Sequence, residues 1–369
     1  PDGFCTESPS YNNMYLSQLL RVPEALHGFT WPEDFDARQG RVDYYRSDPL
    51  LRRMYRGILW TLLPSGEYIP LSDTRINRQP AGHLVHFGLR RYPDLFAGTA
   101  PRLGAGRMSR YALFQLDEAR LQQDAPLVLP ETLFPDWGTA LLRHGAGPAA
   151  HTLSLSFSPW GGHRQYDNLS IFYDAGGHTL LSDLGYVGDM PVNDWIKATH
   201  SHNLVVVDDA RQLREERQPQ FELMAGSPLA TVVEASSRAY PQCREYRRRV
   251  ALVKVAPGVS FAVDLFRVRG GARHAYRVVS ELASSDAAEG ALQVQHVGLT
   301  PEPPLPEVGA SLARDAIYGR RDVRTAAPRQ TPWHATWHEP GAAYRLWMCT
   351  PVDHVEAANA PGQRSLDET

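Results

Sequence analysis

The period of the hydrophobic pattern changes once along this chain, near residue 125, and this change constrains the fold more than any other feature. Before it, apolar residues recur at the spacing of amphipathic helices, as in residues 49–63, PLLRRMYRGILWTLL. After it, apolar and polar residues alternate in short runs between turn residues, as antiparallel strands require. We therefore expect an α+β, multidomain chain, with a helical domain over residues 1–125 and a large antiparallel β-sandwich over residues 126–369.

The boundaries of individual elements follow from the same patterns and from turn residues such as Pro64-Ser65-Gly66. Helices are predicted over residues 11–20, 49–63, 83–92 and 107–121. Strands are predicted over residues 151–158, 168–174, 178–182, 203–207, 247–255, 259–268 and 344–350. Helices of this length joined by loops favour helical hairpins stacked around a common centre.

The overall charge excludes several classes of partner. The net charge is −3 over 369 residues, which gives no global field for nucleic acid or for an anionic membrane. No apolar run approaches the roughly 18 residues of a membrane span. The three cysteines have no CxxC spacing, so neither a disulfide framework nor a zinc ribbon is expected. An acidic ligand would have to meet a local cluster of basic side chains.

Polar residues recur beside apolar runs between positions 160 and 212, in GGHRQYDNLS, LLSDLG and HSHNLVVVDD. Such groups are costly to bury unless they are paired, bound to metal or used in chemistry. His163 follows two glycines that permit a sharp turn, while Asp183 and His202 stand at strand ends. The last two are candidates for metal ligands or for a hydrogen-bond network that braces a site. Arg247, Arg248 and Arg249 are expected on an exposed strand edge.

The ordered motifs resemble those of the heparinase II/III-like polysaccharide lyases. The pattern H-x-H-x-D-x-L, then D-x-G, then A-H-N-T-V-V-V-D and a trailing Gln is matched here by His163, Gln165, Asp167, Leu169, Asp183, Gly185, His202, Asn203 and Gln212. Residues 2–16, DGFCTESPSYNNMYL, resemble the helical segment DG-x-x-x-E-x-x-x-Y of that family. Residues 64–75 resemble the loop after a toroid helix, so the resemblance spans nearly the whole chain in order.

The resemblance implies a partial α/α toroid followed by a β-sandwich, with a cleft between them that cleaves uronic-acid polysaccharides by β-elimination. It implies that Tyr11 and His163 are catalytic, although Tyr11 taken alone reads as a core tyrosine. Further residues are expected to contact an acidic polysaccharide or oligosaccharide: Arg164, Arg75, Glu7, Asn203 and Trp160. A periplasmic or secreted bacterial location is also implied.

Two departures from the family pattern affect these expectations. In some relatives the second histidine of H-x-H joins an Asp and a His around a structural zinc, and the matched positions here are Gln165, Asp183 and His202. Glutamine is a poorer zinc ligand than imidazole, so a hydrogen-bonded network or a harder divalent ion is an equal alternative. The chemistry itself requires no cofactor.

The second departure concerns the toroid, because the chain begins at the DG segment and the family's carboxylate-neutralising residue lies upstream. We expect upstream sequence or another chain to supply those helices.

Two other functions stay open. One is a non-catalytic acidic-glycan-binding or biosynthesis-associated protein on the same scaffold. The other is a hydrolase that uses Glu7 and Asp183 as its two carboxylates.

Overall fold

The structure is a computed structural model in which most of the chain can be described. The described residues are 2–30, 42–96, 98–103, 110–115, 118–121, 127–159, 161–188, 192–214, 219–280, 293–295, 300–301, 321–327, 331–339 and 342–360. Helices fill the first third and antiparallel strands the rest, which confirms the α+β class. The predicted domain boundary at residue 125 falls within residues 122–126, outside this description, and stays a prediction.

Eight helices precede the first strand in the described part of the chain. They are α1 Pro9–Leu19, α2 Arg21–Leu26, α3 Tyr44–Ser47, α4 Pro49–Trp60, α5 Gly82–Arg91, α6 Pro93–Phe96, α7 Arg110–Gln115 and α8 Glu118–Leu121. Helices α1 and α4 begin in the same way. Ser8 and Asp48 accept hydrogen bonds from backbone N–H groups of the first turn, and a proline follows each cap.

One apolar core joins these helices. Its fully buried members include Leu16 of α1, Tyr55 and Ile58 of α4, and Leu84 and Val85 of α5. These positions follow the helical spacing read from the sequence, so the amphipathic faces turn inward together. The predicted helix over residues 107–121 is represented by α7 and α8, and residues 107–109 and 116–117 lie outside the described part.

Two antiparallel sheets carry most of the strands. The first has five strands in sequential order: β1 Thr132–Phe134, β2 Thr139–His144, β3 His151–Ser156, β4 Ile171–Ala175 and β5 His178–Leu181. The second has the order β10-β9-β8-β7, with β7 Gln220–Gly226, β8 Ala230–Ser236, β9 Cys243–Ala256 and β10 Val259–Gly270. Leu153 and Leu155 of β3 share a core with Val233 of β8 and Leu252 of β9, so the two sheets pack as a sandwich.

Smaller antiparallel pairings complete the strand region. Strand β6 Val205–Val207 pairs with β11 His274–Tyr276, and a short helix, α9 Asn193–Ile196, precedes β6. One three-stranded sheet has the order β12-β15-β16, with β12 Gln293–Gln295, β15 Trp333–Glu339 and β16 Ala342–Met348. Another has the order β13-β14-β17, with β13 Thr300–Pro301, β14 Arg321–Ala326 and β17 Val355–Asn359.

The helical part packs directly on the first sheet. Phe4, Leu63 and Ile69 form one buried cluster with Trp137 of the β1–β2 turn and Phe172 of β4. Arg143 of β2, which is buried, donates from Nη2 to the carbonyl oxygens of Trp60 and Leu62, at 2.7 and 2.8 Å. Because the carbonyls at a helix end are otherwise unpaired, this contact both ends α4 and attaches it to the sheet.

The expectation of an exposed edge at residues 247–249 is wrong for Arg248. Strand β9 is internal to its sheet, and Arg248 is fully buried. Its guanidinium binds the Asp264 carboxylate at 2.9 Å and donates to the carbonyl oxygens of Leu169 and Asn203. A buried cation needs such full pairing, and here it ties the second sheet to the loop that leads into β6.

Among the described residues, no helix combines the length and apolar character that crossing a bilayer requires.

One buried carboxyl group in β4 gives a test of the core. Burial raises the pKa of Asp174 to about 6, while Thr179 donates to it at 3.3 Å. In the unfolded chain the pKa of an Asp carboxyl is about 3.9. Ionisation of Asp174 therefore destabilises the native state above pH ~6, and this destabilisation disappears below pH ~4. The free energy of unfolding of Asp174→Asn should therefore be about 2–3 kcal/mol higher than that of wild type at pH ~8, and this difference should disappear as the pH is lowered. Urea unfolding across this pH range measures it, and a less stable variant at the alkaline end would contradict the assignment.

Candidate active site at the seam between helices and sandwich

Tyr11 is held at the seam by the start of α1. Ser8 caps the helix by accepting from the Tyr11 backbone N–H at 3.3 Å. The same Ser8 hydroxyl donates to the carbonyl oxygen of Asp73 at 3.2 Å, and both residues are buried. The cap therefore fixes the first turn of α1 to the loop that contains Asp73, and Tyr11 projects from that turn in a half-buried position.

His163 reaches the same place from the sandwich side. It has a left-handed backbone, with φ 55°, in the turn that follows Gly161 and Gly162. A non-glycine residue rarely adopts this conformation, and it persists only where the surroundings hold it. The backbone N–H of Asp73 donates to the His163 carbonyl at 3.3 Å, which supplies part of that restraint.

The rings of Tyr11 and His163 stack on each other. Their centroids are 3.6 Å apart with an interplanar angle of 24°. The two residues are 152 positions apart in sequence and come from opposite sides of the seam. The structure thus brings together the phenol and the imidazole that the sequence singled out, although their catalytic roles stay predictions.

Asp73 sets the protonation pattern of the imidazole. Its Oδ2 atom is 3.1 Å from His163 Nδ1, and its side chain is only 2% exposed. A carboxylate can only accept a hydrogen bond, so Nδ1 carries the proton and Nε2 is left for a ligand. The His163 side chain is 36% exposed, so the ring can be reached from solvent.

Lys197 shares that carboxylate oxygen. Its Nζ lies 3.0 Å from Asp73 Oδ2, on a side chain that is 30% exposed. The ammonium also lies 5.2 Å from the centre of the Tyr186 ring. Lys197 follows α9 directly, and its carbonyl oxygen accepts from the backbone N–H of Tyr166. A cation and an imidazole are therefore held by one buried oxygen.

Sequence reasoning missed both Asp73 and Lys197. Asp73 lay inside the motif-bearing loop 64–75 but had no histidine or glycine beside it to mark it. Lys197 did carry a signal, because the chain has only two lysines among 38 basic residues. A lysine where arginine is used almost everywhere else suggests a need for a compact ammonium group.

Glu7 and Arg75, predicted to bind substrate, lie at the rim of this cluster. A side chain at Gly162 would stand 3.3 Å from Glu7 Oε1, so the carboxylate faces the turn of His163. Tyr15 donates to the same oxygen at 3.3 Å. Arg75 is exposed, and its Nη2 is 3.6 Å from where a side chain at Gly188 would begin. Trp160 falls outside the described residues.

Two other predicted substrate contacts are internal, which corrects the sequence reading. Arg164 is buried and donates to the Trp137 carbonyl at 2.9 Å and to the Ser72 hydroxyl at 3.4 Å. Asn203 is also buried. Its amide nitrogen donates to the carbonyls of Ile171 and Ser182, and its oxygen accepts from the Val279 N–H. Both side chains brace the seam and present no group to a ligand in the cleft.

The three positions predicted to bind metal lie together beneath the site. Asp183 and His202 are buried, with Oδ2 and Nε2 3.8 Å apart, and Asp167 joins them so that three ligand atoms lie within 4.8 Å of one another. Burial raises the pKa of Asp183 to about 6. Such burial removes Asp183 as the accessible second carboxylate of a hydrolase, because that role requires contact with water or sugar.

Gln165 completes this cluster in a fixed orientation. Its amide nitrogen donates to the carbonyls of Ser72 and Gly185, at 2.9 and 2.6 Å, so its oxygen must be the atom 2.8 Å from His202 Nε2. His202 Nδ1 donates to the Ala198 carbonyl at 2.7 Å. Two lone pairs cannot face each other at this distance, so either a proton on Nε2 or a cation must lie between the two side chains.

The donor set can hold a divalent ion. Asp183 Oδ2 is buried and has no hydrogen-bond donor among the described residues, as expected of an atom that could face a cation. Two carboxylates, one amide oxygen and one imidazole make an oxygen-rich set, which suits harder ions better than zinc. An ion held by Asp167, Asp183, His202 and Gln165 would neutralise buried charge.

Comparison with known proteins agrees with the fold. Residues 128–290 match the family profile described as Heparinase II/III-like, C-terminal. A heparinase III gene product superposes with a TM-score of 0.58 at 15% identity, covering 98% of this chain and 50% of that one. The heparan sulfate lyase HepC from Pedobacter heparinus superposes with a TM-score of 0.55 at 13% identity, covering 94% and 59%. This chain thus spans little more than half the length of these structures. No curated protein matches it.

The role of Gln165 can be tested by restoring an imidazole. Gln165→His should raise zinc affinity at least about tenfold, because nitrogen replaces the amide oxygen in a set that already holds His202 and two carboxylates. Zinc titration monitored by thermal unfolding measures the change. The double variant Gln165→His with Asp183→Asn is the matched control and should lose most of the gain. Equal zinc affinity in wild type and Gln165→His would show that the cluster is not a latent zinc site.

Proposed function

We propose that the chain cleaves a uronic-acid-containing polysaccharide by β-elimination, because residues 128–290 match the family profile described as Heparinase II/III-like, C-terminal. The proposal includes the activity that the solved relatives carry in their names, a heparinase and a heparan sulfate lyase. It extends to the location, which we propose is the periplasm or the cell exterior, where such polymers are met.

The observation that carries the proposal is the stacked pair of Tyr11 and His163. β-Elimination removes the proton on C5 of a uronate and expels the oxygen on C4, while the electrons of the C5–H bond form a C4–C5 double bond. One group must accept the first proton and one must protonate the departing oxygen. A half-buried phenol in contact with a partly exposed imidazole would supply these two groups within the width of one sugar.

The Asp73 contact supports a defined role for His163. With Nδ1–H donated to the carboxylate, Nε2 is the atom available to exchange a proton with substrate. The carboxylate also stabilises the imidazolium that forms when Nε2 accepts a proton. Asp73 is thus a positioning residue, since it acts on the sugar only through His163.

Removal of either ring group tests the proposal. Tyr11→Phe and His163→Ala should each lower kcat by about 10²–10⁴-fold, the usual contribution of a general acid or base. The assay is the ultraviolet absorbance of the unsaturated uronate product, measured with the full-length protein on a panel of uronate polymers. Tyr44→Phe, an exposed phenol on α3, is the matched control and should keep wild-type activity.

The same assay separates the alternatives. Folded wild-type protein that releases no unsaturated product from any polymer would overturn the lyase proposal. If that protein still bound the polymers, and Tyr11→Phe and His163→Ala bound them equally well, a non-catalytic glycan-binding role would take its place.

Asp73→Asn tests the positioning role. An amide in place of the carboxylate can present its N–H to Nδ1 and so favour the wrong tautomer of His163. We expect kcat to fall by about 10²-fold or more with KM little changed, and the pH dependence of kcat to shift. Asp73→Glu should recover part of the loss. Wild-type kcat and pH dependence in Asp73→Asn would show that the contact is structural only.

A further inference from the structure

We propose that Lys197 binds the carboxylate of the uronate sugar that undergoes elimination. This inference rests on the proposed lyase function and adds a cation on the sandwich side, in addition to the carboxylate-neutralising residue that the family resemblance places upstream. The C5 proton of a uronate is very weakly acidic while the adjacent carboxylate is fully charged. A cation that binds that carboxylate stabilises the charge that develops as the C5 proton leaves.

Lys197 lies beside the proposed catalytic imidazole. Lys197 Nζ and His163 Nδ1 contact the same oxygen of Asp73, at 3.0 and 3.1 Å, so the ammonium stands beside the imidazole that would exchange the proton. The carboxylate carbon of a uronate is bonded directly to C5. A group that holds the carboxylate must therefore lie near the group that works on C5, and Lys197 shares an Asp73 oxygen with the ring whose Nε2 would do that work.

Lys197 has hydrogen-bond donors left for a substrate. An ammonium has three donors, and Asp73 is the acidic partner that Lys197 uses among the described residues. With 30% of its side chain exposed, Lys197 can turn a remaining donor toward the cleft. Asp73 also accepts a hydrogen bond from His163, so the Lys197 ammonium does not hold that carboxylate alone.

The other nearby cations are less suited. Arg164 is buried and donates to Trp137 and Ser72, so it cannot reach a sugar. Arg75 is exposed and lies beside Gly188, and it forms no ion pair with Asp73 among the described residues. Among the described residues near the site, Lys197 is thus the cation that combines exposure with contact to Asp73, the carboxylate that holds His163.

The chain offers a matched control for the test. Its only other lysine, Lys254 on β9, also pairs with one acid, Glu131, at 3.1 Å. Lys197→Met keeps the length of the side chain and removes its charge, while Lys197→Arg keeps the charge. Lys254→Met removes an equivalent charge from a strand of the sandwich.

The experiment compares each variant on an ionised uronate polymer and on its methyl ester. On the ionised polymer, Lys197→Met should lower kcat/KM by about 10²–10³-fold, Lys197→Arg should recover part of this, and Lys254→Met should match wild type. On the ester, whose carboxyl carries no charge, Lys197→Met and wild type should differ by less than about threefold, because no anion remains to be bound.

Two results would overturn the inference while leaving the lyase proposal intact. One is wild-type kcat/KM for Lys197→Met on the ionised polymer, with Tyr11→Phe still inactive. The other is an equal loss on both polymers, which would mean that Lys197 acts only by holding Asp73 and His163.

If wild type releases no product from any polymer, the lyase proposal fails by itself and binding decides the inference. Calorimetry with an ionised uronate oligosaccharide then compares wild type and Lys197→Met. Weaker binding by Lys197→Met supports the carboxylate contact, and equal binding overturns it.

Discussion

The short loop Ser72–Thr74 holds the proposed active site together, because its polar groups bind three segments that are distant in sequence. The carbonyl oxygen of Asp73 accepts from Ser8 at the start of α1, and its N–H donates to His163. The Ser72 carbonyl accepts from Gln165, and the Asp73 carboxylate binds His163 and Lys197. Since buried polar groups must be paired, these contacts fix the loop and the three segments relative to one another.

Several strands of the sandwich could be predicted from local sequence patterns, whereas the contacts at its seam with the helices could not. Alternation in residues 151–158 predicted β3, and amphipathic spacing in residues 49–63 predicted α4, because burial of one face dictates both patterns. The proximity of Tyr11 and His163 came from a resemblance to a known family and could not have come from spacing. It depends on how α4 and β2 meet through Arg143, a contact between residues more than 80 positions apart.

The residues that sequence reasoning misplaced share one cause. Arg164 and Asn203 stand next to His163 and His202 along the chain, yet their side chains turn into the protein and pair with backbone carbonyls. Neighbouring residues in a turn or extended segment point in different directions, so nearness to a predicted site residue says little about access to the cleft. Asp73 entered the site from a loop whose sequence has no feature specific to chemistry, and only the folded arrangement shows its partners.

The stacked pair of Tyr11 and His163 also bears on when this protein could begin to act. One ring comes from the first helix, and the other arrives only after the opening strands of the sandwich have been synthesised and have packed against it. A nascent chain that ended before residue 163 would hold one half of the pair, and a misfolded chain would hold both halves apart. Under the proposed mechanism, division of the two groups between two layers makes completed folding a condition for turnover.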